Sequence, residues 1–201
     1  MLACELYLIE KDIKDVLNTL TEKYSRAQTE QNNKESKRWI KTEYCEFNMH
    51  NCLPLESNNP VLKIMLWKPK GHNGTVVFAN SDVNRMMYFI NLEKKYSITG
   101  IMLDLDLPGE SHYLPCYYFQ HWGSDNSFRI VRVMCDPRWA FYEEGKRFPF
   151  EQTNRYTERT KKKRLTNDMI KDYVTAMGWN IRDDGFFDSD SNAILMTIKR
   201  W

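Results

Sequence analysis

No apolar stretch of this 201-residue chain approaches the ~20 residues that a membrane-spanning helix needs. No two cysteines have the C-x-x-C spacing of a zinc knuckle or a thioredoxin-like redox motif. The five of them, Cys4, Cys45, Cys52, Cys116 and Cys135, are scattered and odd in number, which points to a reducing compartment. The sequence has no G-x-S-x-G, no G-x-x-x-x-G-K-[ST] and no G-x-G-x-x-G, so neither a nucleophile elbow nor a phosphate-cradling loop is indicated. Neither sign of charge dominates. Lys plus Arg is 29 and Asp plus Glu is 27, and a net charge of +2 argues against a dedicated DNA binder. The N-terminal "MLACELYLIEKDIKD" lacks a basic region ahead of its short apolar run and does not read as a signal peptide. These absences predict a soluble, cytoplasmic protein with no cofactor and no membrane partner.

What is present is material for a core. Hydrophobic residues make up 42% and aromatic residues 13%, which excludes disorder along the whole length. The aromatics favour sheet, because broad rigid side chains suit a pleated, half-buried surface. Strands are predicted over 3–9, 39–50, 61–68, 75–80, 98–107, 114–122, 128–135, 138–145 and 193–201. The "PKGHNG" turn makes a hairpin of the third and fourth, and "GSDN" makes one of the sixth and seventh. Ile13, Val16, Leu17, Leu20 and Tyr24 recur at helical spacing, and that helix should fade in the polar run 25–38. A second helix is predicted over 81–97, capped by Ser81 or Asp82, with Met86, Phe89 and Ile90 buried. A third has Thr166 as N-cap and Asp168 in its first turn, Leu165 and Ile170 as a staple, and Gly178 as its stop. The expected fold is one α+β domain spanning 1–201, with a mixed, mainly antiparallel sheet and about three helices.

Two stretches carry candidate chemistry. In "DLDLPGESH", Asp104 and Asp106 share a strand face and are followed by Glu110 and His112. Such a set could hold a divalent metal that activates water, in a metal-dependent hydrolase. The plainer reading leaves both aspartates on the solvent face. "DDGFFDSDSN" offers Asp183, Asp184, Asp188 and Asp190 as oxygen ligands, but not at calcium-loop spacing. The other stretch is basic: Arg155, Arg159, Lys161, Lys162, Lys163 and Arg164. It could neutralise nucleic-acid phosphates, although Tyr156 is its only aromatic for stacking. If helical, it would bring Arg155, Arg159 and Lys162 or Lys163 to one face. It could instead be a solvated connector paired with Glu143, Glu144, Glu151 and Glu158, or a cationic surface for an acidic protein.

The stretch 138–181, "RWAFYEEGKRFPFEQTNRYTERTKKKRLTNDMIKDYVTAMGWNI", resembles orphan bacterial proteins of the polymorphic-toxin immunity type. The resemblance lies in the order of an aromatic strand, an E-x-G turn, a "PFE", a basic segment and a short helix ending in Gly-Trp. It implies a small cytoplasmic α+β inhibitor without a catalytic centre, whose partner is a toxin. Together with the abundance of Trp, Tyr and Arg, the residues that dominate interfaces, this makes a non-catalytic binding protein the first expectation. Its expected contact residues are Arg138, Trp139, Arg155, Tyr156, Arg159, Lys162 and Arg164. The alternatives are the hydrolase centred on Asp104, Asp106, Glu110 and His112, and a nucleic-acid-associated protein that uses 155–164.

Overall fold

The computed structural model describes residues 2–30, 39–48, 61–79, 95–105, 115–189 and 193–199. Its strands are β1 (Leu2–Ile9), β2 (Ile40–Cys45), β3 (Val61–Trp67), β4 (Thr75–Ala79), β5 (Ile98–Leu105), β6 (Cys116–Trp122), β7 (Phe128–Cys135), β8 (Trp139–Gly145) and β9 (Ala193–Lys199). All nine form a single sheet in the order β2-β9-β3-β4-β1-β5-β6-β7-β8, and every neighbouring pair is antiparallel. The two expected hairpins, β3–β4 and β6–β7, both form. The fold is α+β and dominated by its sheet.

Two α-helices, α1 (Ile13–Glu30) and α2 (Asn167–Ala176), occur among the described residues where about three were expected. The helix predicted over 81–97 lies outside the described residues up to 94, and 95–97 lead into β5 as a turn. α1 ends at Glu30, inside the polar run in which it was expected to fade; Ala27, Gln28 and Glu30 are good helix formers, and propensity carries the helix beyond its apolar stripe. β2 is shorter than predicted and ends at Cys45.

Each face of the sheet is buried by a different part of the chain. Val16, Leu20 and Tyr24 of α1 pack on Tyr7, Ile9, Ile64, Leu66, Val77, Ile194 and Met196. The opposite face carries Leu6, Leu8, Met65, Trp67, Phe78, Ile101, Leu103, Phe119, Val131 and Val133, and there Tyr156, Leu165, Ile170, Tyr173, Val174 and Trp179 close over it. Residues 146–187 therefore form a C-terminal layer, and α2 is its firmest element. The Thr166 hydroxyl accepts the Met169 N–H at 3.3 Å, as an N-cap should. Gly178 ends the helix at φ +94°, a conformation that costs a residue with a Cβ but not glycine. Met169, Ile170, Tyr173 and Val174 are buried, and Met177 is partly buried against the same core.

Candidate partner-binding surface

Among the described residues β8 is the last strand of the sheet, with a neighbour in β7 on one side only. Alternation points Trp139, Phe141 and Glu143 toward the C-terminal layer, and Tyr142 and Glu144 away from it. The chain then turns at Gly145, whose φ of +86° brings its backbone against that of Phe128. It folds back over β6–β8 through Phe148 and Phe150, whose rings stack on each other and pack edge-on to Phe119.

Glu151 follows, and it is the anchor of the layer. Its carboxylate accepts Arg129 Nε at 2.9 Å and Arg129 Nη2 at 2.6 Å, a two-pronged pair in which Arg129 is only 1% exposed. Glu143 accepts Nη2 of the same guanidinium at 2.6 Å, and the carbonyl of Glu144 accepts Nη1 at 3.1 Å. The Phe148 N–H and the Tyr156 hydroxyl also donate to Glu151, at 2.7 and 2.9 Å. Because the single Tyr156 proton goes to Glu151, Tyr173 donates across the 3.0 Å contact between the two hydroxyls, and Tyr173 in turn accepts the Gln152 N–H. Burial pushes both phenols up, so they stay protonated. Arg147 bonds Glu143 from the solvent side, and this bond, with that from Arg129, holds the Glu143 carboxyl below its ordinary value.

Two short 3-10 turns, Thr153–Thr157 and Lys161–Arg164, lie on this anchor, pinned by the buried Tyr156 and Leu165. The break between them, from Glu158 to Thr160, is the reason that the basic residues do not share a helical face as the i, i+4 spacing suggested. Arg155 pairs with Glu158 at 2.8 Å. Arg164 donates to the Glu158 carbonyl at 2.7 Å and lies over the Phe141 ring, 5.4 Å from its centroid. Lys162 lies over Trp139 at 5.3 Å, and Trp139 stacks on Tyr117. Arg138, Arg159, Lys161, Lys162 and Lys163 are exposed, and among the described residues none of them enters an ion pair.

The expected contact residues thus separate into two groups. Arg138, Arg159 and Lys162 are exposed, as are Lys161 and Lys163. Arg155, Arg164 and Trp139 are half-buried supports, and Tyr156 is buried and committed to Glu151 and Tyr173. The pairing expected of a solvated connector is realised at Glu158 alone. Glu143 and Glu151 serve Arg129 instead, and Glu144 accepts the Tyr142 hydroxyl.

Of the hydrolase set, only Asp104 is among the described residues; Asp106, Glu110 and His112 lie outside them. Asp104 accepts the Tyr117 hydroxyl at 2.8 Å, while its backbone N–H donates to the Asn167 side chain at 3.2 Å, which ties β5 to β6 and to the start of α2. Burial and the Asp104 carboxylate push Tyr117 up to about 12. Asp183 caps the turn Asp184–Phe187 through Gly185, Asp188 faces Lys70 at 4.0 Å, and Asp190 is outside the described residues. Among the described residues no three His, Cys, Asp or Glu side chains come together as a metal would need. Burial pushes the Cys116 thiol up to about 11, which keeps it protonated and unreactive at neutral pH. No described helix is long and apolar enough to cross a membrane.

Sequence reasoning missed the Arg129–Glu151 anchor. The period of "FRIVRVMC" does place Arg129 and Arg132 on opposite faces, but nothing in the sequence says that Glu151, 22 residues on, returns beneath the first of them. The chain matches no protein-family model, no curated protein and no solved structure.

Proposed function

We propose that the protein is a non-catalytic binding protein that covers an acidic surface of a partner protein with its exposed, unpaired cations. The observation that carries this reading is the set Arg138, Arg159, Lys161, Lys162 and Lys163, exposed and outside every ion pair among the described residues. These charges stand on a layer fixed by a buried ion pair, so a partner that neutralises them has little backbone to order on binding. A protein partner is favoured over nucleic acid because the aromatic of this stretch is withdrawn. Tyr156 is buried, and Lys162 covers Trp139, which leaves bases no ring to stack on here. In the setting that the resemblance of 138–181 implies, the partner is a toxin and the protein its immunity-type inhibitor.

The test is affinity capture of the tagged protein from its native lysate, with and without nuclease, followed by the same capture with K161E/K162E/K163E. The expected result is one protein in fixed ratio that survives nuclease and moderate salt and is lost from the triple variant. The variant should melt with the wild type, since exposed substitutions of this kind each change stability by no more than about 0.5 kcal/mol. Material that disappears with nuclease would transfer the surface to nucleic acid, and capture unaffected by the variant would place the interface elsewhere.

A further inference from the structure

The β3–β4 connection and the segment that follows α2 form a cleft of about 260 Å³. Its walls are tied to each other. The Lys70 N–H donates to the Gly185 carbonyl at 3.0 Å, and the Ser189 hydroxyl donates to the Lys68 carbonyl at 3.1 Å. One wall is the His72 ring, which stacks on the buried Trp179 with centroids 3.9 Å apart. His72 Nδ1 accepts the Gly74 N–H at 2.9 Å, so the neutral ring carries its proton on Nε2, and burial holds its pKa below 6.5. At Gly71 and Gly178, which also line the cleft, a Cβ would meet nothing within 4 Å, so backbone stands open to a ligand there. Charge converges at Gly185. A Cβ on it would stand 3.0 Å from Asp183 Oδ1 and 3.2 Å from Lys70 Cβ, so the carboxylate and the lysine stem adjoin. The Lys70 ammonium is 4.0 Å from Asp188.

These groups select a ligand class. A simple anion would meet two carboxylates, Asp183 and Asp188, for one ammonium, and a simple cation would meet the ammonium. An apolar ligand would take Lys70, Asn180 and Asp183 out of water with nothing in return. A neutral ligand rich in hydroxyls suits all three. A hydroxyl accepts from an ammonium that can only donate, donates to a carboxylate that can only accept, and does either with the Asn180 amide. The C–H face of a sugar ring also suits a flat, uncharged imidazole. The volume lies just below the roughly 300–1,000 Å³ of drug-sized sites, which matches a single ring. From this geometry we infer that the cleft binds a neutral monosaccharide, its hydroxyls on Lys70, Asn180 and Asp183 and one face of its ring against His72. The site shares no residue with the cationic surface, so either reading can fail without the other.

The experiment is amide NMR of the isotope-labelled full chain, titrated to high millimolar concentration with glucose, galactose, mannose and N-acetylglucosamine. Acetate, methylamine and adenosine serve as anionic, cationic and planar-base probes. At least one sugar should shift the Gly71, Gly178 and Gly185 amides and the Trp179 indole N–H saturably, and leave the amides of β7 and β8 in place. Lys70→Ala and Asn180→Ala replace exposed side chains and should keep the fold, which the same spectra check. Lys70→Ala should bind that sugar roughly tenfold more weakly, the loss expected of a hydrogen bond to a charged group, and Asn180→Ala should bind it a few-fold more weakly. No saturable shift with any of the four sugars would overturn the assignment. The same shifts from acetate, methylamine or adenosine, or an affinity undiminished in both variants, would also overturn it.

Discussion

The C-terminal layer handles positive charge in two opposite ways. Beneath it, Arg129 meets two carboxylates and a backbone carbonyl, and each of its three nitrogens is engaged. On top of it, Arg138, Arg159 and Lys161–Lys163 meet none among the described residues. The sequence around the turns is not short of acid; the nearest glutamates have been drawn inside or spent on Arg155. The difference separates structure from surface. A charge withdrawn from water must be paired to be tolerated at all, whereas an exposed one can wait for a partner.

The sharpest way to break this contrast is Glu151→Ala. It leaves Arg129 buried with Glu143 as its one carboxylate, and it strands the Phe148 N–H. Removing one partner of a buried pair costs about 3–5 kcal/mol, so the melting temperature should fall by roughly 6–20 °C. A variant that melts with the wild type would mean that the anchor holds nothing. Thr166→Ala should cost about 1 kcal/mol in denaturant unfolding, by freeing the Met169 N–H at the start of the helix that roofs the layer. Both substitutions act on the fold; the lysine triple variant should not.

The smallest effect is that of pH, and it belongs to the inner side. His121 is in register with Arg129, and His121 and His72 are both held below their ordinary 6.5 by burial. The folded protein therefore resists their protonation while the unfolded chain accepts it. Stability should be level above about pH 6.5 and decline as the pH falls through that value toward the folded pKa values. Glu143 adds a second decline. Its carboxylate, held down by Arg147 and then Arg129, stabilises the fold above its ordinary 4.5, and that contribution is lost as the pH falls through the folded value. Urea midpoints between pH 8 and about pH 2 check both steps, and a midpoint that rises on acidification would contradict them.

The elements that repeat a local pattern were legible in the sequence. The α1 stripe, the Thr166 cap, the Gly178 stop and both hairpins follow from spacing and turn chemistry within a few residues. The basic stretch was legible as composition but not as shape, because two 3-10 turns pinned by Tyr156 and Leu165 have no period to read. Tyr156 looked like a surface aromatic because its neighbours are charged, and only the return of Glu151 beneath it takes it inside.

The central claim is that the unpaired cations serve a partner and not the buried anchor of the fold. The most direct measurement is titration calorimetry of the captured partner into the wild type and into K161E/K162E/K163E, after unfolding curves have shown the two to be equally stable. The account predicts an affinity at least tenfold weaker for the variant, since reversing three interface charges should remove on the order of 1.4 kcal/mol or more. Equal affinities at equal stability would contradict it.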